Sequence, residues 1–411
     1  MRRGVFFGWW IVAGGFLIQI LNGGLLFHAF SAYVLPLQAE FGWSKSQVSG
    51  AFAMARAESG ILGPAQGWAI DRFGPRAIMR VGIVMFGAGF IALSMVHSLP
   101  MYYGAFALLA VGSSLGGFMS LATTVTNWFS RKRATALGIM MTGMGVGGLM
   151  VPLIVLSLDE LGWRATARIS GILVLAIGLP MTQIMRHSPE RYGMLPDGAT
   201  VQYRDGKAQP APAVTGMTAR QALRTQAFWM LSLSHGAALL IVGAALLHQF
   251  PHMEEDMGLS RKTAGFVVAF LVAINIGSQL GGGFIGDRIN KRIGIAGCML
   301  AHAAGMAIFA VSTSMVGALA FAILHGTAWG FRAPLINSIR ADYFGRAHYA
   351  TIMGFMSLLV MMGMTVGPLF AAYLNDVTGS YRTPFLILAG VASLGSITAL
   401  AAKRPKTPKA D

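Results

Sequence analysis

A chain of 411 residues that is 55% hydrophobic and only 11% charged lacks the polar surface of a large soluble domain, since such domains are about 25% charged. The 53 glycines suit helices that pack closely in lipid. The net charge of +16 lies in short clusters between apolar runs, which excludes a nucleic-acid-binding face as its meaning.

The N-terminal "MRRGVFFGWW" sets Arg2 and Arg3 before an apolar run. No small-residue cleavage site follows, so the run reads as an uncleaved first span. Crossing about 30 Å of hydrocarbon takes about 20 apolar residues. Twelve runs qualify: 9–34, 47–70, 75–97, 101–127, 134–157, 164–186, 225–250, 263–285, 293–312, 315–338, 348–372 and 382–402. Backbone groups in lipid must bond internally, so these are helices. The expectation is an all-α membrane protein with twelve transmembrane helices. With the N-terminus inside, 23 of the 31 Lys and Arg residues fall in cytoplasmic segments, which puts both termini in the cytoplasm and the chain in a cell (inner) membrane. That count places Arg133 and Arg340 outside the spans and leaves Arg56 and Arg332 within them.

Residues 187–223 form the one long polar stretch, and their Pro, Gly and Ala content suggests a flexible cytoplasmic linker. It separates an N-terminal six-helix bundle, 1–186, from a C-terminal one, 224–403, with a tail at 404–411. The halves repeat. "GWAIDRFGPR" at 67–76 matches "GFIGDRINKR" at 283–292, "FGWSK" at 41–45 matches "MGLSR" at 257–261, and Pro152 maps onto Pro368, at an offset of 216 residues. "NWFSRKRATALG" at 127–138 echoes "DYFGRAHYATIMG" at 342–354. Two pseudo-symmetric six-helix bundles follow, the architecture of secondary transporters.

These motifs resemble the major facilitator superfamily. Gly67, Asp71, Arg72, Gly74 and Arg76 match its signature loop between helices 2 and 3, and Gly283, Asp287, Arg288 and Arg292 form a second copy in which Asn290 replaces the central glycine. The resemblance implies that Gly67, Asp71, Arg72, Arg76, Gly283, Asp287, Arg288 and Arg292 act as a conformational latch. The competing reading is a solvated basic turn. "GWWIVAGGFL", "EFGWSKSQVSGAF", "NWFSRKRATALG" and "GPLFAAYLNDVTGSY" resemble the branch that holds monocarboxylate transporters and oxalate/formate antiporters. In that branch helix 8 carries an aspartate and, four residues on, an arginine that binds the substrate carboxylate. Alignment puts the neutral Asn275 and Gln279 there. The antiporters' helix 11 lysine has no counterpart, and the carriers' helix 1 lysine falls near His28.

Ionisable groups inside spans are costly and so are functional candidates. Glu58 and His28 are candidates for proton coupling: a half-desolvated carboxylate or imidazole titrates within reach of neutrality. Each is equally readable as a permanently satisfied core residue. Arg332 and Arg56 are candidate anion anchors, because a guanidinium suits bidentate carboxylate recognition. The bland reading is a structural ion pair. Asn275, Gln279 and Asn22 could bind a polar solute or serve as interhelical glue, as could Gln19. His248 and the Met361–Met362–Met364 cluster are weaker candidates, and His252 reads as extramembrane. The sole cysteine, Cys298, reads as a packing residue.

There is no phosphate-loop lysine, metal spacing or nucleophile elbow, so neither an enzyme nor a cofactor is expected. The expected function is secondary active transport of a small organic anion together with protons, by a functional monomer in a lipid bilayer. A neutral or larger solute, such as a vitamin or drug, is the alternative. A non-transporting receptor on the same scaffold is a remote third.

Overall fold

In the computed structural model the described residues are 5–199, 203–204, 207–208 and 215–406. The side chains of Lys45, Ala53, Arg56, Ala57 and residues 203–208 fall outside the description. Contacts divide the chain into one unit of Met1–Thr215 with Arg346–Gly354 and a second of Gly216–Gly345 with Phe355–Asp411.

The first unit begins with α1 (Phe7–Leu21), which runs through a π-turn, Asn22–Phe27, into α2 (Phe30–Phe41). Glycine is required in that turn, since a Cβ on Gly23 would lie 2.3 Å from the Met144 carbonyl oxygen. Next comes α3 (Lys45–Ile61), opened by a capping box in which Ser44 and Gln47 exchange hydrogen bonds, followed by α4 (Gly63–Phe73). Then follow α5 (Pro75–Leu93), α6 (Leu99–Gly116), α7 (Phe118–Trp128), α8 (Arg133–Gly147) and α9 (Val151–Ile184). Gly162, at φ +78°, breaks α9 into the end of one crossing and the whole of the next. Phe86, Phe90, Tyr102, Phe106 and Trp128 fill the interior of this unit.

The second unit holds the short α10 (Ala219–Leu223), then α11 (Gln226–Pro251), α12 (Arg261–Gly286), α13 (Lys291–Val311), α14 (Met315–Phe344), α15 (Tyr349–Thr378) and α16 (Arg382–Ala401). The first turn of α15 belongs to the first unit. Phe309 stacks on Phe321 at 4.0 Å and on Phe385 at 5.5 Å, joining α13, α14 and α16. Beyond α11, the buried His252 ring bonds the Phe309 carbonyl through Nε2 and Asp256 through Nδ1, both at 2.8 Å. Asp256 in turn accepts from the Tyr381 amide at 2.7 Å. Outward-facing Leu149, Leu153, Ile172, Val316 and Leu369 are all more than half exposed, as befits surfaces solvated by lipid.

The helices reproduce the twelve expected crossings, with three running well past their apolar runs: α2 continues to Phe41, α14 to Phe344 and α15 to Thr378. The expected flexible linker differs more. Asp197 accepts from the amides of Ser130, Arg131 and Lys132, and Trp128 Nε1 donates to the Arg186 carbonyl at 2.8 Å, so its beginning is tied to the first unit. Tyr203–Arg204 and Lys207–Ala208 pair as an antiparallel ladder, and α10 is capped by Thr218 and Gln221. Among the described residues of this stretch, carboxylate capping and a Thr-x-x-Gln box act together with the burial of Met217 and Ala222.

Candidate functional site

The interior of the second unit gathers its basic side chains on α14. Arg332 is only 1% exposed and stands about 18 Å from the C-terminal end of that helix, near mid-membrane depth. Its Nε and Nη1 have no hydrogen-bond partner, and no carboxylate faces it among the described residues. Within its electrostatic reach are Cys298 and His302 of α13, His325 of α14 and His235 of α11. His302 and His325 are fully buried and share one hydrogen bond, Nδ1 to Nδ1 at 3.1 Å. Cys298 is 7% exposed.

Arg340, placed outside the spans by the charge count, is 4% exposed on the same helix. It donates to Asn337 Oδ1 at 2.9 Å and to His235 Nδ1 at 2.6 Å. Arg133 is likewise buried, and donates to the Phe129 carbonyl at 3.0 Å. Sequence reasoning missed Arg340, His302 and His325 as site residues. The available signal was the spacing of His325 and Arg332, two helical turns apart and therefore on one face.

Asn275 and Gln279 do join, as one helical turn allows: Gln279 Nε2 donates to Asn275 Oδ1 at 3.3 Å. Asn275 Nδ2 and Gln279 Oε1 are left buried without partners. No hydrogen bond joins this pair to Arg332 among the described residues. Gly326, Gly330 and Phe331 face α12, where a Cβ on Gly330 would meet the Asn275 carbonyl at 2.2 Å. Arg332, about 200° from Gly330 around the helix, turns instead toward α13.

In the first unit, Glu58 is half-buried; its Oε2 accepts from Ser59 Oγ at 3.2 Å and its Oε1 is buried without a partner. The Arg56 side chain lies outside the described residues. The His28 ring bonds the Met144 backbone, and its Nε2 is buried without a partner. Asn22 is fully employed in packing, donating to the Ile18 carbonyl at 3.2 Å and accepting from Ser113 Oγ at 2.7 Å. His248 bonds the Pro368 carbonyl at 2.9 Å, and Gln19 is buried in α1. Met362 is 61% exposed, which leaves the Met361–Met362–Met364 cluster facing outward in part.

The signature loop shows why each residue type is there. A Cβ on Gly67 would lie 2.2 Å from the Ala350 carbonyl oxygen, so α4 can meet the start of α15 only through glycine. Asp71 caps that helix start: it accepts from the Ala350 amide at 3.2 Å, the Thr351 amide at 2.8 Å and Thr351 Oγ1 at 2.6 Å. Burial pushes the Asp71 carboxyl above the ordinary range, against the opposing pull of those hydrogen bonds. Gly74 adopts φ +86°, and Arg76 caps the end of α9 by donating to the Gln183 carbonyl at 2.7 Å. Arg72 lies over the Trp68 and Phe73 rings. In the second copy, Arg288 donates to the Phe284 carbonyl at 2.7 Å and covers its ring; Arg292 starts α13, and Gly283 is buried in α12. Asp287 caps the C-terminus of α12.

The profile of the Major Facilitator Superfamily matches residues 15–339 and 250–411. The chain is 26% identical over 405 residues to human Monocarboxylate transporter 11, covering 95% of this chain and 81% of that protein. It is 26% identical over 395 residues to the Oxalate:formate antiporter of Oxalobacter formigenes, covering 93% and 88%. The fold is shared with solved transporters at lower identity. The human organic anion transporter MFSD10 (TETRAN) superposes with TM-score 0.70 at 16% identity, covering 95% of this chain and 98% of that one. The E. coli Fucose:proton symporter FucP does so with TM-score 0.73 at 15% identity, covering 97% and 98%. Twelve helices in a repeated pattern, a glycine-seated capping loop and a profile match across most of the chain lead to one conclusion: this protein belongs to the Major Facilitator Superfamily and is a multi-pass membrane transporter of small-molecule solutes.

Proposed function

We propose that the protein carries a small organic anion bearing a carboxylate, moved together with protons, and that Arg332 is the anion's anchor. One observation carries the reading: a guanidinium buried to 1% exposure has, among the described residues, two nitrogens without partners and no carboxylate facing it. Removing an arginine from water without a counter-charge costs several kcal/mol, of the order seen for other unpaired buried ions. A visiting carboxylate offsets that cost by a charge-assisted, bidentate contact. The names of the relatives, a monocarboxylate transporter and an oxalate:formate antiporter, support the same class of solute. Glu58 and His28 are the proton-coupling candidates. Access to the site alternates between the two membrane faces, with Gly67, Asp71, Arg72, Arg76, Gly283, Asp287, Arg288 and Arg292 as the latch.

The test is a thermal-shift and uptake comparison of purified protein against a panel of mono- and dicarboxylates. A binding carboxylate should raise the melting temperature of the wild type. Arg332→Gln should weaken that anion by roughly tenfold to a hundredfold, the worth of one or two charged hydrogen bonds. Equal stabilisation of both proteins removes Arg332 from the site. A second reading has its own support. Asn275 Nδ2 and Gln279 Oε1 lie buried and unpartnered on α12, as a neutral polar solute would require. A neutral ligand that stabilises Arg332→Gln but not Asn275→Ala would select it.

A further inference from the structure

At the basic end of the second unit, a cavity of about 310 Å³ opens where α13 begins and α14 and α16 end. Lys291, Arg292 and Arg404 line it, with Asp342, Tyr343 and Ile289. Asp342 holds Lys291 at 2.8 Å and so balances one of the three cations. No ion pair joins Arg292 or Arg404 to a carboxylate among the described residues. Both lie within electrostatic reach of Tyr343, whose hydroxyl is already committed to the Ala402 carbonyl at 2.9 Å. That bond ties the end of α16 to α14 and keeps Arg404 at the cavity. The two guanidiniums therefore present an uncompensated double positive charge around a small concave space. An anion with several acceptor oxygens, such as a phosphate, fits that chemistry better than a single carboxylate does.

The surroundings narrow the source of the phosphate. Gly395 of α16 packs on Met299 of α13, which fixes these two helices side by side up to the cavity. On the same two helices, Ile293, next to Arg292 in the first turn of α13, is 58% exposed, and Ile397 and Leu400, near the end of α16, are 63% and 47% exposed. An outward apolar track beside a basic pocket at the membrane edge is complementary to a charged headgroup with acyl chains. The site is separate from Arg332, since Asp342 lies about 15 Å further along α14. We propose that this cavity holds the phosphate of an anionic phospholipid, gripped by Arg292 and Arg404, with its acyl chains along Ile293, Ile397 and Leu400.

The experiment compares full-length protein in nanodiscs of phosphatidylcholine alone with nanodiscs containing phosphatidylglycerol, reading melting temperature and, by native mass spectrometry, retained lipid. Phosphatidylglycerol should raise the melting temperature by several degrees and stay bound through detergent transfer. Arg292→Gln with Arg404→Gln should lose at least half of the rise and most of the retained lipid. Arg261→Gln with Lys262→Gln, at the opposite end of the unit, should keep both. Should the double variant not fold, the exposed Arg404→Gln alone carries the test with the same expectation. The proposal is overturned by equal melting in the two lipids, by an unchanged rise in the arginine variants, or by equal losses in the Arg261/Lys262 control. Millimolar inorganic phosphate in phosphatidylcholine nanodiscs should leave the melting temperature unmoved. If it reproduces the rise, the occupant is a soluble phosphate and the lipid assignment fails.

Discussion

Glu58 is half-buried: one carboxylate oxygen accepts from Ser59 Oγ, and the other is buried without a hydrogen-bond partner among the described residues, which leave out the neighbouring Arg56 side chain. As the proposed proton carrier, Glu58 gives a direct expectation: Glu58→Gln should bind solute normally while its uptake loses the wild-type pH dependence, and uptake across several external pH values checks this. A mutant that keeps the wild-type profile excludes Glu58 as the proton carrier. His187 gives a second test outside the spans. Burial lowers its pKa below the ordinary value, with the Arg191 charge as a lesser cause. The folded chain therefore holds this proton less tightly than the unfolded chain. Stability from His187 is full above about pH 6.5 and is lost as pH falls below it. The melting temperature of His187→Gln should thus fall less than that of wild type between about pH 7.5 and 5.5. Asp71→Asn keeps an acceptor but loses the charge at the start of α15, and should cost about 1 kcal/mol, measured by chemical denaturation.

At the scale of elements, the crossing of α4 and the start of α15 rests on small residues from both sides. A Cβ on Gly67 would lie 2.2 Å from the Ala350 carbonyl oxygen, and one on Gly354 would lie 2.2 Å from that of Gly63. Backbone cannot yield as a flexible side chain can, so Gly67→Ala and Gly354→Ala should each destabilise by about 1–3 kcal/mol. Gly390→Ala, with nothing within 4 Å on α16, is the control that should leave the melting temperature unchanged. The signature loop stood out in the sequence through its spacing, but the partners of Gly67 and Asp71, Ala350 and Thr351, lie far along the chain and carried no such signal. The helix-axis events were less legible. The π-turn at Asn22–Phe27 keeps the same apolar composition as its flanks, so hydropathy passes through it unbroken. α14 outran its apolar run because Arg340 donates both to Asn337 and to His235, which lets polar residues stay helical and buried.

For the whole molecule, twelve crossings could be read from composition alone, since lipid demands about 20 apolar residues each time. The hydrogen bond between His302 and His325 and the burial of Arg340 could not, although the spacing of His325 and Arg332 was a signal. Charge counting treats any arginine near a span's end as a surface residue, and only the packing of α11, α13 and α14 tells a snorkelling side chain from a buried one. The same blindness hid the division of α15 between the two units, because a helix reads identically whichever body it packs against. One residue of that interior has a practical consequence. Cys298 is the single thiol, buried beside the guanidinium of Arg332. Alkylation by a small membrane-permeant maleimide can proceed only when that region opens, so the native chain carries its own chemical clock for the event. Its labelling rate should slow when an anion binds Arg332 as proposed, and intact-mass spectrometry would time this without any engineered cysteine.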